Sequence, residues 1–299
     1  MSTQILDGKL VASQIKAEVR EQIEQLRKIH PNAKPPCLAV ILCSSDTASK
    51  IYVKHKRKAC DEVGIQSHVL ELFEAGIENY YSPQRALECQ IDWLNKSLDI
   101  HGILVQLPLL KGLDKYNIFD FIDPLKDVDC VSPTNVGLLL QARPRFIPCT
   151  PQGIQELLVR HGVEIAGKQV AVINRSDIVG KPLGALLLQD NHKANATVIS
   201  CHDRTPPERL KEICLSSDII VVAVGIPGFL TADMVSPGAV VVDVGINRIG
   251  EKVVGDVSWE QVSQKTSWIS PVPGGVGACT VAALLKNTVQ AYENSLKTF

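Results

Sequence analysis

The chain has 299 residues, with 31 Lys and Arg against 32 Asp and Glu, a net charge of -1, and 45% of its residues in the AVILMFWYC set. That length holds two ordinary domains, each able to bury its own core. The near-zero charge excludes a general attraction to nucleic acid or to an anionic membrane. No stretch of eighteen apolar residues occurs, and the start MSTQILDGKLVASQ has neither the apolar core of a signal peptide nor the arginine-rich face of a transit peptide. A cytoplasmic location and no membrane partner are therefore expected.

In chain order, the spacing predicts a helix over Gly8 to Ile29, a strand at Cys37–Cys43, and a helix that Asp46 caps and Gly64 ends. On that third element Tyr52, Lys56, Ala59, Cys60 and Val63 recur at steps of three and four residues, so Lys56 lies on the apolar stripe while Lys54, Arg57 and Lys58 project elsewhere. Two readings follow. Lys56 either snorkels past a hydrophobic face or is a catalytic lysine whose pKa burial and its basic neighbours depress, with Tyr52 as an aromatic platform one turn earlier.

A strand near His68–Leu72, a helix at Pro83–Lys96 and the apolar strand Gly102–Leu107 complete the first half. Alternating strand and helix means parallel strands covered by helices, whose carboxyl ends collect catalytic groups. Gln106 stands at such an end, either as an ordinary strand-end polar group or as an amide in reach of a lysine on a neighbouring helix. Asp127 and Asp129, judged by spacing alone, are solvated loop charges.

Pro148-Cys149-Thr150-Pro151 breaks the pattern, and a second series begins with the helix Gln152–His161. Strands are expected at Gln169–Ile173, Ala196–Ser200, Asp218–Val222 and Ala239–Val244, and helices over Gly180–Gln189 and Pro207–Cys214. This is the rhythm of a doubly wound dinucleotide-binding domain. Its first strand runs into Asn174-Arg175-Ser176-Asp177-Ile178-Val179-Gly180, where only Gly180 is glycine, yet a polar loop feeding a helix is still an anion site, to which Arg175 and Ser176 add a charge and a hydroxyl. Later comes Pro271-Val272-Pro273-Gly274-Gly275-Val276-Gly277, which reads as a loop that lets backbone approach a ligand closely. The last helix, Thr280–Ser295, is expected to return to the first domain. The nine cysteines are scattered, with no CxxC pair and no zinc spacing, so they read as buried thiols in a reducing compartment and no metal is expected. Cys149 alone stands out by its setting.

Five segments match one pattern in order: Tyr52-Val-Lys-His-Lys56, Val105-Gln106-Leu-Pro-Leu109, Lys126-Asp-Val-Asp129, Pro148-Cys-Thr-Pro151 and Pro271-Val-Pro-Gly-Gly-Val-Gly277. With Arg175-Ser176 and Ile178-Val179-Gly180 in the expected loop, the chain resembles the bifunctional methylenetetrahydrofolate dehydrogenase / methenyltetrahydrofolate cyclohydrolase family over essentially its full length. The resemblance implies an α/β fold of two domains with a cleft between them. Residues 1–150, completed by 280–299, would be the folate-binding catalytic domain, and 151–279 a Rossmann-like NAD(P)-binding domain.

It also implies roles. Lys56 is similar to the family's catalytic lysine, Gln106 to the amide that holds it, and Tyr52 to the side chain against the folate ring. Asp129 looks like the carboxylate that binds the pterin edge, and Pro271, Gly274 and Gly275 would line the folate pocket. Arg175, Ser176, Gly180, Asp203, Arg204 and Ile246 form the implied cofactor-binding set. The implied activity is oxidation of 5,10-methylenetetrahydrofolate and hydrolysis of the product to 10-formyltetrahydrofolate by a homodimer; a monofunctional NAD-dependent dehydrogenase is the alternative.

The chain departs from the family pattern at Asn174 and Cys130, where glycine is usual, and at Ala278-Cys279, where Pro-Met is common. It also carries Asp203 where many members have a serine facing the 2′-phosphate of NADP. A carboxylate at the end of that strand ordinarily binds ribose hydroxyls and repels a phosphate. Arg175 and Arg204 argue the other way, so NADP is the expected cofactor and NAD the alternative.

Overall fold

The computed structural model describes residues 3–43, 46–72, 82–250 and 252–297. The chain opens with a two-residue strand β1 (Gln4–Ile5) and the long helix α1 (Gly8–Ile29). Two compact units follow from the contacts. One gathers Gln14–Leu138, Pro144–Ile147 and the chain from Val281; the other gathers the chain up to Ser13, Leu139–Arg143 and Pro148–Thr280.

The first unit alternates β2 (Cys37–Leu42), α2 (Thr47–Val63), β3 (Gln66–Glu71), α3 (Pro83–Lys96), β4 (Gly102–Gln106), α4 (Lys115–Phe121) and α5 (Pro133–Leu140). Its sheet has the order β3-β2-β4 and both pairings are parallel. Central strand β2, CLAVIL, is buried at every residue, the signature of a parallel strand covered on both faces. Ala39, Ile41, Ile103 and Val105 of the sheet pack with Leu87, Ile91 and Leu94 of α3 and with Ile118 and Phe119 of α4.

The second unit runs α6 (Cys149–Arg160), β5 (Gln169–Ile173), α7 (Gly180–Leu187), β6 (Thr197–Cys201), α8 (Pro207–Ser216), β7 (Ile219–Val222), β8 (Val240–Asp243), the hairpin β9 (Asn247–Ile249) and β10 (Lys252–Val254), α9 (Trp259–Val262), β11 (Trp268–Ile269) and the start of α10 (Val276–Leu296). The main sheet has the order β1-β11-β8-β7-β5-β6, parallel throughout. Chain order reverses beside β5: the chain leaves it for β6 on one side and returns to β7 on the other. In open α/β sheets that reversal places the ligand crevice at the carboxyl ends of the strands.

Three features differ from the sequence reading. Helix α6 starts at Cys149 and not at Gln152, with Pro148 as N-cap and Pro151 in its first turn, where a missing N–H costs nothing. The first residues, read as part of the folate domain, instead join the dinucleotide sheet, because Gln4 and Ile5 pair in parallel with Trp268 and Ile269. Val276 and Gly277, read as loop, already belong to α10.

Candidate active site

Helix α2 is anchored at both ends by its own sequence. The Asp46 carboxylate accepts from the Ser49 backbone N–H at 2.9 Å and from the Ser49 hydroxyl at 3.0 Å, and Gly64 closes the helix at φ 83°. Val53, Ala59, Cys60 and Val63 are buried, Lys54, Arg57 and Lys58 are exposed, and Tyr52 and Lys56 are half-buried at the margin between them. Lys56 is thus not sunk in the apolar stripe as the spacing predicted. Its Nζ instead donates to Gln106 Oε1 at 2.8 Å. Gln106 closes β4 opposite Leu42 of β2, and its Nε2 donates to the Leu107 carbonyl at 2.6 Å. The amide is therefore oriented by backbone, with its oxygen turned to the ammonium. Of the two readings of Gln106, the one that puts it in reach of a neighbouring lysine is the observed one.

Beyond β4 the turn that bears Asp129 is built from inside. Asp127 is fully buried and accepts from the Val131 and Ser132 backbone N–H groups at 3.0 and 2.9 Å and from Asn135 Nδ2 at 2.9 Å. It is a structural carboxylate and not the solvated charge expected. Asp129 remains half-buried, and the next residue, Cys130, has φ 59°. A glycine is the usual occupant of that left-handed region, and here a side chain occupies it with its Sγ–H donated to the Phe146 carbonyl at 3.3 Å. Asn287 of α10 donates to the carbonyls of Val128 and Ile147, both at 2.8 Å, so the last helix clamps the Asp129 turn within its own unit.

In the other unit, the loop after β5 is organised by Asn174. Its Oδ1 accepts from Ser176 N at 2.8 Å, Ser176 Oγ at 2.7 Å and Gly180 N at 2.9 Å, and its Nδ2 reaches across to the Ala223 carbonyl at the end of β7 at 2.5 Å. One side chain thus stitches both sides of the chain reversal. Gly180 is required for this: a Cβ there would lie 2.1 Å from the Asn174 carbonyl oxygen. Because Ser176 spends its hydroxyl proton on Asn174 and its Oγ accepts from Val179 N at 3.2 Å, the charge for an anion falls on other groups. Arg175 is the nearest, and it is ion-paired with Asp203, just past the carboxyl end of β6; Arg204 Nε lies 3.6 Å from the same carboxylate. All three are more than half exposed.

The proline-glycine loop lies in the same unit. Gly274 has φ 109°, and Gly275 packs so closely on the start of α1 that a Cβ on Gly8 would stand 1.9 Å from its carbonyl oxygen. Ile246 is half exposed, with its Cδ1 3.8 Å from where a Cβ on Gly277 would sit.

Comparison with known proteins identifies the family. Residues 6–129 match the tetrahydrofolate dehydrogenase/cyclohydrolase catalytic domain, and residues 148–296 match the NAD(P)-binding domain of the same family. The chain belongs to the tetrahydrofolate dehydrogenase/cyclohydrolase family. It is 49% identical over 292 residues to the bifunctional protein FolD of Moorella thermoacetica, covering 97% of this chain and 99% of that one. With the FolD of Rhodopirellula baltica identity is 47% over 297 residues and 96% of each chain. Among solved structures, the bifunctional FolD enzyme of Campylobacter jejuni superposes with TM-score 0.90 at 43% identity, covering 98% of this chain and 99% of that chain. The Trypanosoma brucei FolD, solved with NADP cofactor and an inhibitor, superposes with TM-score 0.91 at 37% identity over 99% of each chain.

In this tetrahydrofolate dehydrogenase/cyclohydrolase chain, Lys56 and Gln106 are brought into direct contact, as are Arg175, Asp203 and Arg204. Reading the sequence missed the organising role of Asp127, through partners four to eight residues on, of Asn174, which joins its own loop to Ala223, and of Gly8, which lies against Gly275. The only sequence signal for Asn174 was that it stands where glycine is usual. Cys149, singled out by its setting, is buried at the first turn of α6. All nine cysteines are free thiols. No helix among the described residues is long and apolar enough to cross a membrane, and no group of His, Cys, Asp or Glu among them could hold a metal ion.

Proposed function

We propose that the chain oxidises 5,10-methylenetetrahydrofolate to the 5,10-methenyl form with NADP and then hydrolyses that product to 10-formyltetrahydrofolate. The observation that carries the reading is the Lys56 Nζ to Gln106 Oε1 hydrogen bond of 2.8 Å, a proton carrier held in place by an oriented amide. The folate steps fall to the unit that gathers Gln14–Leu138, Pro144–Ile147 and the chain from Val281, and dinucleotide binding falls to the unit built on Pro148–Thr280.

In the first step a hydride leaves the carbon that bridges N5 and N10, and the resulting cation is shared between the two nitrogens. NADP, when bound, supplies the acceptor for that hydride, so the protein contributes orientation. The Tyr52 ring packs against the pterin, Asp129 accepts from its amino group and ring nitrogen, and Pro271, Gly274 and Gly275 bring backbone close to the folate. Arg175 and Arg204 take the 2′-phosphate, Ser176 and Gly180 shape the turn, and Ile246 contributes apolar contact. In the second step water adds to the methenyl carbon and the ring opens; Lys56 Nζ moves the proton between the incoming water and the departing nitrogen while Gln106 keeps it aligned.

The NADP reading is supported by the two arginines and by the NADP-bound Trypanosoma brucei relative. A second reading, NAD as hydride acceptor, is favoured by Asp203 alone. We further propose a homodimer in the cytoplasm, the latter in keeping with nine free thiols.

The test is Lys56→Met, assayed on 5,10-methenyltetrahydrofolate without dinucleotide by loss of its ultraviolet absorbance. Hydrolysis should fall to the spontaneous rate while the variant keeps its circular dichroism and melting temperature. Near-normal hydrolysis would refute the assignment of Lys56.

A further inference from the structure

At the carboxyl edge of the dinucleotide sheet, two carboxylates are buried where no basic group offsets them. Asp243, the last residue of β8, is 3% exposed, and Asp256, just past β10, is fully buried. Asp256 Oδ2 accepts from the backbone N–H groups of Val224 and Gly225 at 2.6 and 2.9 Å, and its Oδ1 accepts from Asn247 Nδ2 at 2.8 Å. Asp243 Oδ1 accepts from Gly245 N at 3.0 Å and from the backbone N–H of Asp256 at 2.9 Å, and its Oδ2 accepts from Val257 N at 3.0 Å. No lysine, arginine or histidine pairs with either carboxylate among the described residues.

The two carboxylates are interlocked through glycines. A Cβ on Gly255 would lie 1.8 Å from Asp243 Oδ2, and one on Gly245 would lie 2.2 Å from Asp256 Cγ. Each acid therefore sits in space that only a glycine beside the other acid leaves open. Between them they fix three segments: the turn after β7, the loop after β8, and the return from β10.

A turn that only had to be closed would be closed more cheaply by backbone or by a neutral side chain, since burying a carboxylate without a cation is costly. The position argues for a task beyond closure. The turn after β7 lies at the chain reversal beside β5, where sheets of this order take their ligand. Successive backbone N–H groups there would ordinarily bind an external anion; here Asp256 fills that role from inside. These two loops instead expose apolar side chains, Ile226 at 53% and Ile246 at 48%. Exposed branched apolar side chains suit a flat heteroaromatic ring.

We propose that Asp256, seated by Asp243, is a positioning residue for hydride transfer, holding the Val224–Gly225 turn and the Ile246 loop so that Ile226 and Ile246 flank a ring of the dinucleotide. The inference rests on the reading that this unit binds the dinucleotide.

The test is Asp256→Asn, with rescue. In the variant an NH2 group replaces one acceptor oxygen and faces either the two backbone donors or the donor of Asn247. The dehydrogenase KM for NADP should rise at least tenfold. Hydrolysis of methenyltetrahydrofolate without dinucleotide should stay within twofold of wild type. Adding Asn247→Asp restores an acceptor opposite the introduced NH2 and should recover most of the lost affinity. A KM for NADP within threefold of wild type, or parallel loss of both activities in soluble, folded protein, overturns the proposal. Should Asp256→Asn fail to fold, Ile226→Ser, an exposed change, should raise the same KM at least threefold with hydrolysis intact; an unchanged KM also overturns it. Failure of the underlying reading is distinct: wild type itself would reduce no dinucleotide with methylenetetrahydrofolate.

Discussion

Gly180→Ala puts two physical effects in direct opposition. Gly180 opens α7, and alanine is the better helix former there by up to about 1 kcal/mol, so propensity alone predicts a gain. Packing predicts a loss. The added Cβ would stand 2.1 Å from the Asn174 carbonyl oxygen, 2.4 Å from its carbon and 2.7 Å from its Oδ1, where ordinary contact begins at 3.4 Å. The loop must therefore retreat by about 1.3 Å, the difference between 3.4 and 2.1 Å. That displacement breaks the three bonds that Asn174 Oδ1 accepts. At about 1 kcal/mol each, the cost of holding the loop in its binding conformation is about 3 kcal/mol, or about a hundredfold in dinucleotide affinity. Initial rates of NADP reduction across a range of NADP concentrations measure this as KM. Methenyltetrahydrofolate hydrolysis without dinucleotide, which we propose Lys56 of the other unit carries out, serves as the internal control and should stay within twofold. A KM within threefold of wild type would mean the loop relaxes freely and that Asn174 does not organise it. A parallel fall in both activities would mean the change unfolds the chain.

Asp203→Ser frees Arg175 from its ion pair and removes a negative charge beside Arg204. Exposed pairs are worth up to about 1 kcal/mol, so the KM for NADP should fall by up to about fivefold while that for NAD rises. A ratio of the two KM values that does not move would remove Asp203 from cofactor choice. Stability against pH should differ between the units. Burial pushes Asp243 up to about 6, with the Asp256 charge adding to it and three backbone N–H bonds opposing it. Its proton is bound more tightly folded than unfolded, so its contribution, about 3 kcal/mol, is present below pH 3.8 and is lost as pH rises through about 6. His101 runs the other way. Burial first, and the Lys126 charge second, lower it to about 4, so its contribution is present above 6.5 and is lost as pH falls through about 4. Hydrogen exchange resolved by unit between pH 4 and 7 reads both slopes, and Asp243→Asn should abolish the first alone. An unchanged slope in that variant would contradict the assignment.

Much of the candidate site was legible along the chain because its signals are local. Asp46, Gly64 and the three- and four-residue spacing are enough to frame α2, and β2 and β4 are apolar runs of strand length. The Tyr52, Lys56, Gln106 and Asp129 segments could be placed on their elements because each motif lies within a few residues. What could not be read is how the chain closes on itself. Asp127 looks like any loop carboxylate until the turn folds Val131, Ser132 and Asn135 around it. Gln4 and Ile5 have no alternation to reveal a strand, and only their pairing with Trp268 and Ile269 makes one. The start of α6 at Cys149 could not be read because the cost of Pro151 depends on its helical position, which a run of four residues does not specify.

The sequence by itself determined the α/β class, the alternation of the main parallel strands with helices, and the motifs that carry the family resemblance. Tertiary structure alone decided how those residues are held: Lys56 by the amide of Gln106 fifty residues on, the cofactor turn by Asn174, and the far turns by the Asp243 and Asp256 pair. The physical reason is that periodicity and capping act over a turn of helix or a pleat of strand. Burial, hydrogen-bond direction and the space left by a missing Cβ exist only once distant segments have met.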